Sequence, residues 1–410
     1  PKIRINDSEQ VLVQPADCYV PTENSPDESL PNGSITTITA IPLSAPSQFK
    51  STCYTGNAQG LYMSEQALYV VEQIYDYAEE QSSEFTLIHK FALSGTDAVY
   101  RGSADIAGML GGRQSMDFRL SEHNDYLRVV TSEYDYGGVS PLTASEADHI
   151  DHKLTVLRES ASEQALEVVS TLPNDTHPQE IGKPDELLYG VRFFGERAYL
   201  VTFQKVDPLY VLDLSDPAQP RIAGELEVPG FSDFIHPVSD ELILTLGKDA
   251  TPSAAGWTFF DGMKIELFNV SDIGNPQSIS RLSIGARGTD SEALYDRHAF
   301  TYAPVSDSSH RFAIPIDVYR DSDSQDYSEW LNGGLHLFEV SGVDTPEAAS
   351  VVQHGELRTQ DAVTGIGPDY YGNRRSVFHD DAVFFVDRQG VWSTFWSNTD
   401  VVQGPVNSIE

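Results

Sequence analysis

The chain has 410 residues, 40% of them hydrophobic and 10% aromatic, enough to bury a large core, with 30 glycines and 23 prolines falling between short apolar runs. Its formal net charge of −36, from 62 acidic against 26 basic residues, repels phosphate backbones and anionic lipid heads, which sets aside nucleic acid and membrane surfaces as partners. No apolar run reaches the ~18 residues that a spanning helix needs, so membrane insertion is set aside too.

Taken in chain order, "PKIRINDSEQ" has neither an initiator Met nor an apolar signal stretch, as expected if a leader was removed or the chain starts within a longer precursor. Residues 1–35 read as a partly irregular end, as do 398–410. The two cysteines, Cys18 and Cys53, show no CxxC or Cys/His zinc spacing. They read as a disulfide of an extracellular or periplasmic protein, against the alternative of two unrelated thiols. The next segments alternate between two units. One is a strand pair with a polar reversal: "LYMSEQALYVV" (61–71), "MDFRLSEHNDYLRVV" (116–130), "YGVRFFGERAYLVTF" (189–203), "DFIHPVSDELILTLG" (233–247), "EALYDRHAFTYAP" (292–304) and "SVFHDDAVFFVD" (376–387). The other is a strand, a Ser/Asp turn, a proline and a second strand. It is clearest at 208–220, 267–276 and 337–346, where Ser215, Ser271 and Ser341 precede Pro220, Pro276 and Pro346 at one fixed offset. Weaker copies are "ITAIPLSAPSQFKSTCY" and "HKFALSGTDAVYRGSADI". Polar inserts fall at 131–150 and 318–332, and "SEADHIDH" (145–152) reads as at most a helical turn.

Two strands plus two strands per ~45–60 residues is the unit of a β-propeller blade. A lone four-stranded sheet cannot hide both faces, and packing on like neighbours supplies the second cover. A sandwich does not explain two different units repeated in fixed order, and a solenoid has shorter, more regular periods. The expected fold is therefore all-β, a single propeller domain over 1–410 of four-stranded antiparallel blades. About six blades are legible, the first and last incomplete, where a complete ring takes about seven or eight.

The stretch from "YGVRFFGERAYLVTF" through "PLYVLDLSDPAQPRIAGELEVPGFSDFIHP", with "GKDA", "KIELFNVSD", "SEALYDRHAFTY" and "RSVFHDDAVFFV", resembles the secreted bacterial and archaeal β-propeller proteins that are distantly similar to WD-type repeats. The likeness runs from about residue 10 onward and is most specific over 182–303. It implies a propeller fold and an exported protein, secreted, periplasmic or on the cell surface, and implies no particular activity. It also implies strand-rich sequence ahead of the segment that resembles "PKIRINDSEQ", so that upstream strands, or a separate N-terminal chain, complete the ring.

Candidate chemistry sits on the first strand pair of successive blades, the strands nearest a propeller axis. His236 in "FIHP", His298 and Asp296 in "LYDRHAF", and His379 in "VFHDD" form one expected set, with Glu292, Asp380 and Asp381 close by in sequence. Gathered at the central channel they suit a transition metal or calcium. The competing reading for each histidine is a turn or packing role, and Tyr295 and Phe300 read as packing between blades. "HIDH" places His149 and His152 three apart beside Asp148 and Asp151, a surface metal spacing if helical and a solvated loop otherwise. Asp321, Asp323 and Asp326, with Glu329, alternate as a calcium loop does, without the EF-hand glycine and terminal Glu spacing. No GxSxG, HExxH, Walker or GxGxxG motif occurs, and no organic cofactor is implied.

These readings favour an exported, non-catalytic propeller. It would bind a protein or extracellular polymer, assemble with itself, or be completed by a separate chain, with or without a bound divalent cation. The alternative is a metal-dependent hydrolase using a His/carboxylate site at the central channel, where a bound ion lowers the pKa of water.

Overall fold

β-Branched and aromatic runs ended by Ser/Asp, Asn and Gly turns become strands along the whole chain. The computed structural model describes all residues except 1, 6–7, 15–17, 20–33, 77–82, 112–115, 136–148, 204–206, 253–257, 322–327, 363–367, 369–372 and 407–410. Two compact units are present, Pro1–Asp185 with Leu214–Arg221, and Glu186–Asp213 with Ile222–Glu410.

The first unit begins with a hairpin, β1 (Lys2–Ile5) and β2 (Ser8–Val11). A three-stranded sheet follows, from β3 (Cys18–Tyr19), β4 (Ile35–Ala40) and β5 (Lys50–Thr55), in the order β3-β5-β4. Here β3 runs parallel to β5 with Cys18 opposite Cys53, and the two cysteines form the expected disulfide. Two four-stranded antiparallel sheets come next. One is β6 (Gly60–Met63), β7 (Ala67–Asp76), β8 (Ser83–Ser94) and β9 (Asp97–Ala107). The other is β10 (Leu120–His123), β11 (Tyr126–Asp135), β12 (His149–Glu159) and β13 (Leu166–Leu172). The β10–β11 reversal uses Asn124 and Asp125 at φ 51° and 67°, a left-handed pair that matches the strand twist and that Asn and Asp tolerate. Apolar side chains from both sheets meet between them, among them Tyr69, Val71 and Ile88 against Leu127, Val129 and Leu157. In the same unit buried Lys90 lies 3.3 Å from Glu122 and 3.6 Å from Glu159.

The second unit holds four more four-stranded antiparallel sheets. They are β14 (Leu187–Phe194), β15 (Arg197–Phe203), β16 (Asp207–Asp213) and β17 (Arg221–Val228); then β18 (Phe231–Pro237), β19 (Leu242–Pro252), β20 (Thr258–Asn269) and β21 (Gln277–Ile284). After these come β22 (Thr301–Pro304), β23 (Ser309–Asp321), β24 (Ser328–Ser341) and β25 (Ser350–Asp361), and finally β26 (Arg375–His379), β27 (Ala382–Asp387), β28 (Gly390–Phe395) and β29 (Asn398–Val406). The repeated Ser/Asp–proline phrase is the turn from β16 to β17, from β20 to β21 and from β24 to β25. Its fixed offset is local chemistry: Asp216 accepts from the Ala218 N–H, and Asp272 from the Gly274 N–H.

Among the described residues there are thus six complete blade-type sheets, in agreement with the count from sequence. Three expectations need correction. The last sheet has all four strands, and residues Asn398–Val406 of the end expected to be irregular form β29. The strand pair expected at 292–304 is instead two 3-10 turns, Glu292–Leu294 and Arg297–Ala299, followed by a single strand, because Ser291 and Asp296 each cap a turn. The hairpin partner lies farther on, at β23. "HIDH" opens strand β12 rather than a helical turn. Alternation then sends His152 into the interior beside Ser132 while His149 and Asp151 share the exposed side. Asp148 lies outside the described residues.

Candidate functional site

The last sheet, β26–β29, shows how a strand sorts its faces. In β27, "AVFFVD", Val383 and Phe385 are buried, while Phe384 and Val386 keep 38% and 40% of their surface exposed. Phe385 and Val383 pack with Trp396 on Ala313, Leu335, Leu337 and Leu357 of the preceding sheet. On the other side, register places Phe384 beside Val377 of β26, Val386 beside Val391 of β28, and Ala382 beside Phe395. Val377, Phe384, Val386, Val391 and Phe395 therefore form one face, and each of them is exposed. A solvated face of an antiparallel sheet normally alternates to polar residues. This one has the chemistry of a covered face.

An ionic cluster fixes the sheet's entry strand. Arg374 is buried, 2.9 Å from Asp317 and 3.4 Å from Glu292, and its own N–H donates to Glu292. Arg375 donates to Glu292 at 2.9 Å and to Asp296 at 2.5 Å. The two 3-10 turns present these carboxylates: Ser291 accepts from the Ala293 N–H, and Asp296 accepts from the His298 N–H with the His298 ring 3.0 Å away. Burial pushes the Asp296 carboxyl up, but the His298 and Arg375 donors outweigh it and hold it below the ordinary value. Glu292 and Asp317 are buried carboxylates balanced by guanidinium, an arrangement that positions β26.

The structure separates the histidines expected to converge. His236 is half-buried on β18 with its ring 4.2 Å from that of Tyr302 and 4.9 Å from that of Phe300. Burial, then the nearby charges of Arg192 and His310, lowers its pKa to about 3. His298 is an exposed turn residue paired with Asp296, and His379 is exposed beside Asp380 at 3.4 Å. Among the described residues no group of three or more His, Cys, Asp or Glu side chains is placed to hold a metal. The physical reason is local: the His236 ring is spent on an aromatic stack between sheets, and the other two end at turns. Asp321 ends β23 opposite Ser328; Asp323 and Asp326 lie outside the described residues. Asp296 and Glu292, by contrast, are brought together, by the Arg374–Arg375 pair that sequence reasoning missed. Consecutive arginines at the start of a strand, in a chain with 26 basic residues against 62 acidic, were the available signal.

A family model for a beta propeller domain matches residues 1–399. An uncharacterized protein of Methanocaldococcus jannaschii is 33% identical over 283 residues, 65% of this chain and 39% of that protein. One from Archaeoglobus fulgidus is 34% identical over 227 residues, 55% of this chain and 29% of that protein. The chain thus spans well under half the length of these curated relatives. Among solved structures, the N-terminal domain of Nup159 aligns over 92% of this chain and 82% of its own at 9% identity, with a TM-score of 0.33. The β-propeller domain of Vanderwaltozyma polyspora Nup133 aligns over 82% and 98%, again at 9% identity, with a TM-score of 0.30.

Proposed function

The chain belongs to the beta propeller domain family, and from that premise we propose that it is an exported, non-catalytic binding scaffold whose last sheet receives a partner protein. The observation that carries this reading is the exposed apolar face of Val377, Phe384, Val386, Val391 and Phe395. Contiguous exposed apolar side chains of this kind are the usual mark of an interaction surface. In the sheets β18–β21 and β22–β25 the central strands are buried on both sides, as in "LHLFEV" of β24, where neighbouring residues are buried whichever way they point.

The partner's chemistry follows from charge. With a net charge of −36, two copies repel one another, which disfavours self-association and favours a partner that is apolar at the centre of its contact and basic at its rim. Asp380 and Asp381, in the β26–β27 turn, stand beside the apolar face. Export rests on the Cys18–Cys53 disulfide, a bond that persists in oxidising compartments.

The test is a photo-crosslinking residue at position 384 in cells that make the protein, with position 385 as the buried control. The expected result is an adduct to a different polypeptide from 384 and none from 385. Adducts only between copies of this chain, or none at all, would overturn the partner reading. For export, thiol titration of the denatured protein isolated from those cells is expected to find no free thiol, and two free thiols would remove that support.

A further inference from the structure

In each complete four-stranded sheet the third strand bonds to the second on one side and to the fourth on the other. The sheet of β3, β4 and β5 departs from this. Its β4–β5 connection has the conformation of a third-to-fourth connection: the 3-10 turn Pro46–Gln48 repeats the turn Pro346–Ala348 between β24 and β25. Ahead of each turn, Ala45 has φ −150° and ψ 70° where Thr345 has −140° and 74°. After it, Phe49 has −64° and 152° where Ala349 has −65° and 145°. The hydrogen bonds match as well, the Gln48 N–H donating to Ala45 and the Ala348 N–H to Thr345, both at 2.9 Å. Strand β4 therefore holds the place of a third strand, yet among the described residues it pairs with β5 alone.

The register shows which groups the open side of β4 presents. The Gly56 N–H donates to the Ser34 carbonyl, and the pairs from Ile35 with Thr55 to Ala40 with Lys50 continue that register. Antiparallel ladders alternate, so Thr36, Ile38 and Ala40 turn their backbone groups to β5, while Ile35, Thr37 and Thr39 turn theirs outward. An unpaired edge of β-branched residues, here "ITTITA", is a template for another strand. The burial agrees: no residue of β4 is buried, whereas the middle of β24, with a strand on each side, is buried throughout.

We propose that the open edge of β4 is a strand-accepting site whose occupant is the chain's own β2, with β1 beside it, giving the order β1-β2-β4-β5. The hairpin β1–β2 pairs with no other sheet among the described residues, and Ser8–Val11 is exposed throughout; a lone hairpin is marginally stable in water. Its sequence is that of a second strand. "SEQVL" at 8–12 differs only at Val11 from "SEQAL" at 64–68, which leads into β7, the second strand of its own sheet. There Ala67 and Tyr69, in the places of Val11 and Val13, are both buried, while Val11 is 51% exposed. The connection falls in the right place too. Long polar connections join second to third strands elsewhere, from Asp135 to His149 and from Asp321 to Ser328, and here one runs from Val11 to Ile35. The Cys18–Cys53 disulfide holds Cys18 beside β5. From there the far side of β4 is roughly 14 Å away across the strand spacings, and the residues back to Val11 can span up to about 24 Å. So short a tether gives an effective concentration on the order of millimolar, while a net charge of −36 disfavours the hairpin of a second copy. The site shares no residue with the apolar face of the last sheet and does not depend on it.

The experiment is amide hydrogen exchange on the full chain, read residue by residue by NMR. In the wild type the outward N–H groups of Thr37 and Thr39 are expected to exchange about 100-fold or more slower than in an open chain, at a rate that does not change on dilution. Val11→Pro removes an N–H and fixes the backbone of β2. It is expected to return Thr37 and Thr39 to the open-chain rate, while Ile38, bonded to β5, stays slow and reports an intact sheet; Val11→Thr is expected to keep the protection. Nuclear Overhauser contacts between the backbone protons of β2 and β4 in the wild type decide the same point should Val11→Pro release Ile38 as well. Three results overturn the proposal. Fast exchange of Thr37 and Thr39 in the wild type, without those contacts, leaves the edge vacant. Protection that survives Val11→Pro assigns the edge to another segment or polypeptide, and protection lost on dilution assigns it to a second copy.

Discussion

The sheets β22–β25 and β26–β29 follow one another in the chain and share one antiparallel order, yet they meet their surroundings differently. The central strands of the first are buried residue after residue. The central strand of the second alternates, one residue buried and the next exposed. The composition does not follow suit, since Phe384 and Val386 on the open side are as apolar as Val383 and Phe385 on the covered side. Burial alternates where hydrophobicity does not, and the proposal that β26–β29 receives a partner rests on that mismatch.

The sharpest way to break this comparison is a pair of adjacent substitutions. Phe385→Ala removes a fully buried ring from the contact between the two sheets and is expected to cost about 3–5 kcal/mol in urea denaturation. Phe384→Ala, on the open side, is expected to cost less than about 1 kcal/mol for the isolated chain. Equal costs would mean that Phe384 is covered in solution, and the contrast between the sheets would be lost.

Arg374→Ala comes next. It strips the guanidinium from buried Glu292 and Asp317, and leaving a buried charge uncompensated costs about 3 kcal/mol or more. The same change at the half-buried Arg375 is expected to cost about 1 kcal/mol. If Arg374→Ala were as mild, the cluster would not be what anchors β26.

Much of this architecture was legible in the sequence, because strand–turn–strand phrases are local. Ser215, Ser271 and Ser341 announce their turns through short-range geometry, and hairpins at 61–71, 189–203, 233–247 and 376–387 follow from alternation and polar reversals. The segment 292–304 was misread because capping by Ser291 and Asp296 outcompetes strand propensity in "EALYDRHAF". The candidate sites were harder. Whether His236 faces an axis or a neighbouring aromatic ring depends on the side chain's partners, which alternation does not encode. The Glu292–Arg374 contact joins residues 82 positions apart, and no local pattern announces it. Phe384 and Phe385 look alike in the sequence, and only the packing of whole sheets tells them apart.

A smaller effect separates the sheets by pH. His336 of β24 is buried, and burial lowers its pKa to about 4 from 6.5, with Glu356 opposing the shift and Arg358 adding to it. A lowered histidine pKa means that the unfolded chain takes up a proton that the folded chain refuses. Its contribution to stability is complete above pH 6.5 and drains away as pH falls toward 4, at about 1.4 kcal/mol per pH unit. Denaturation between pH 7 and 4 is expected to show a shallower slope in His336→Gln than in the wild type. In β26–β29, His379→Ala at its exposed turn is expected to change stability by no more than about 0.5 kcal/mol at pH 7. An unchanged slope in His336→Gln would place the acid sensitivity elsewhere.

The smallest expected effect concerns Asp296, which joins the turn before β22 to Arg375 at the start of β26. Burial raises its carboxyl, the His298 N–H and ring and the Arg375 guanidinium lower it further, and the balance falls below 3.8. For a depressed carboxyl the sign is the reverse of the histidine case in mechanism but not in direction. The charged form is favoured in the folded chain, so the contribution is present above the unfolded pKa and is lost as pH falls through the lower, folded one. Asp296→Asn is therefore expected to lower stability slightly at pH 7, by about 1 kcal/mol or less, and to leave it unchanged at the acid end, where the wild-type Asp296 carboxyl is protonated in the folded and the unfolded chain alike. Asp380→Asn is the matching control, because that side chain is almost fully exposed and pairs with His379 of its own sheet. If the two variants gave the same acid limb, the Arg375–Asp296 contact would be a surface pairing of no consequence, and the hold on β26 would fall to Arg374 alone.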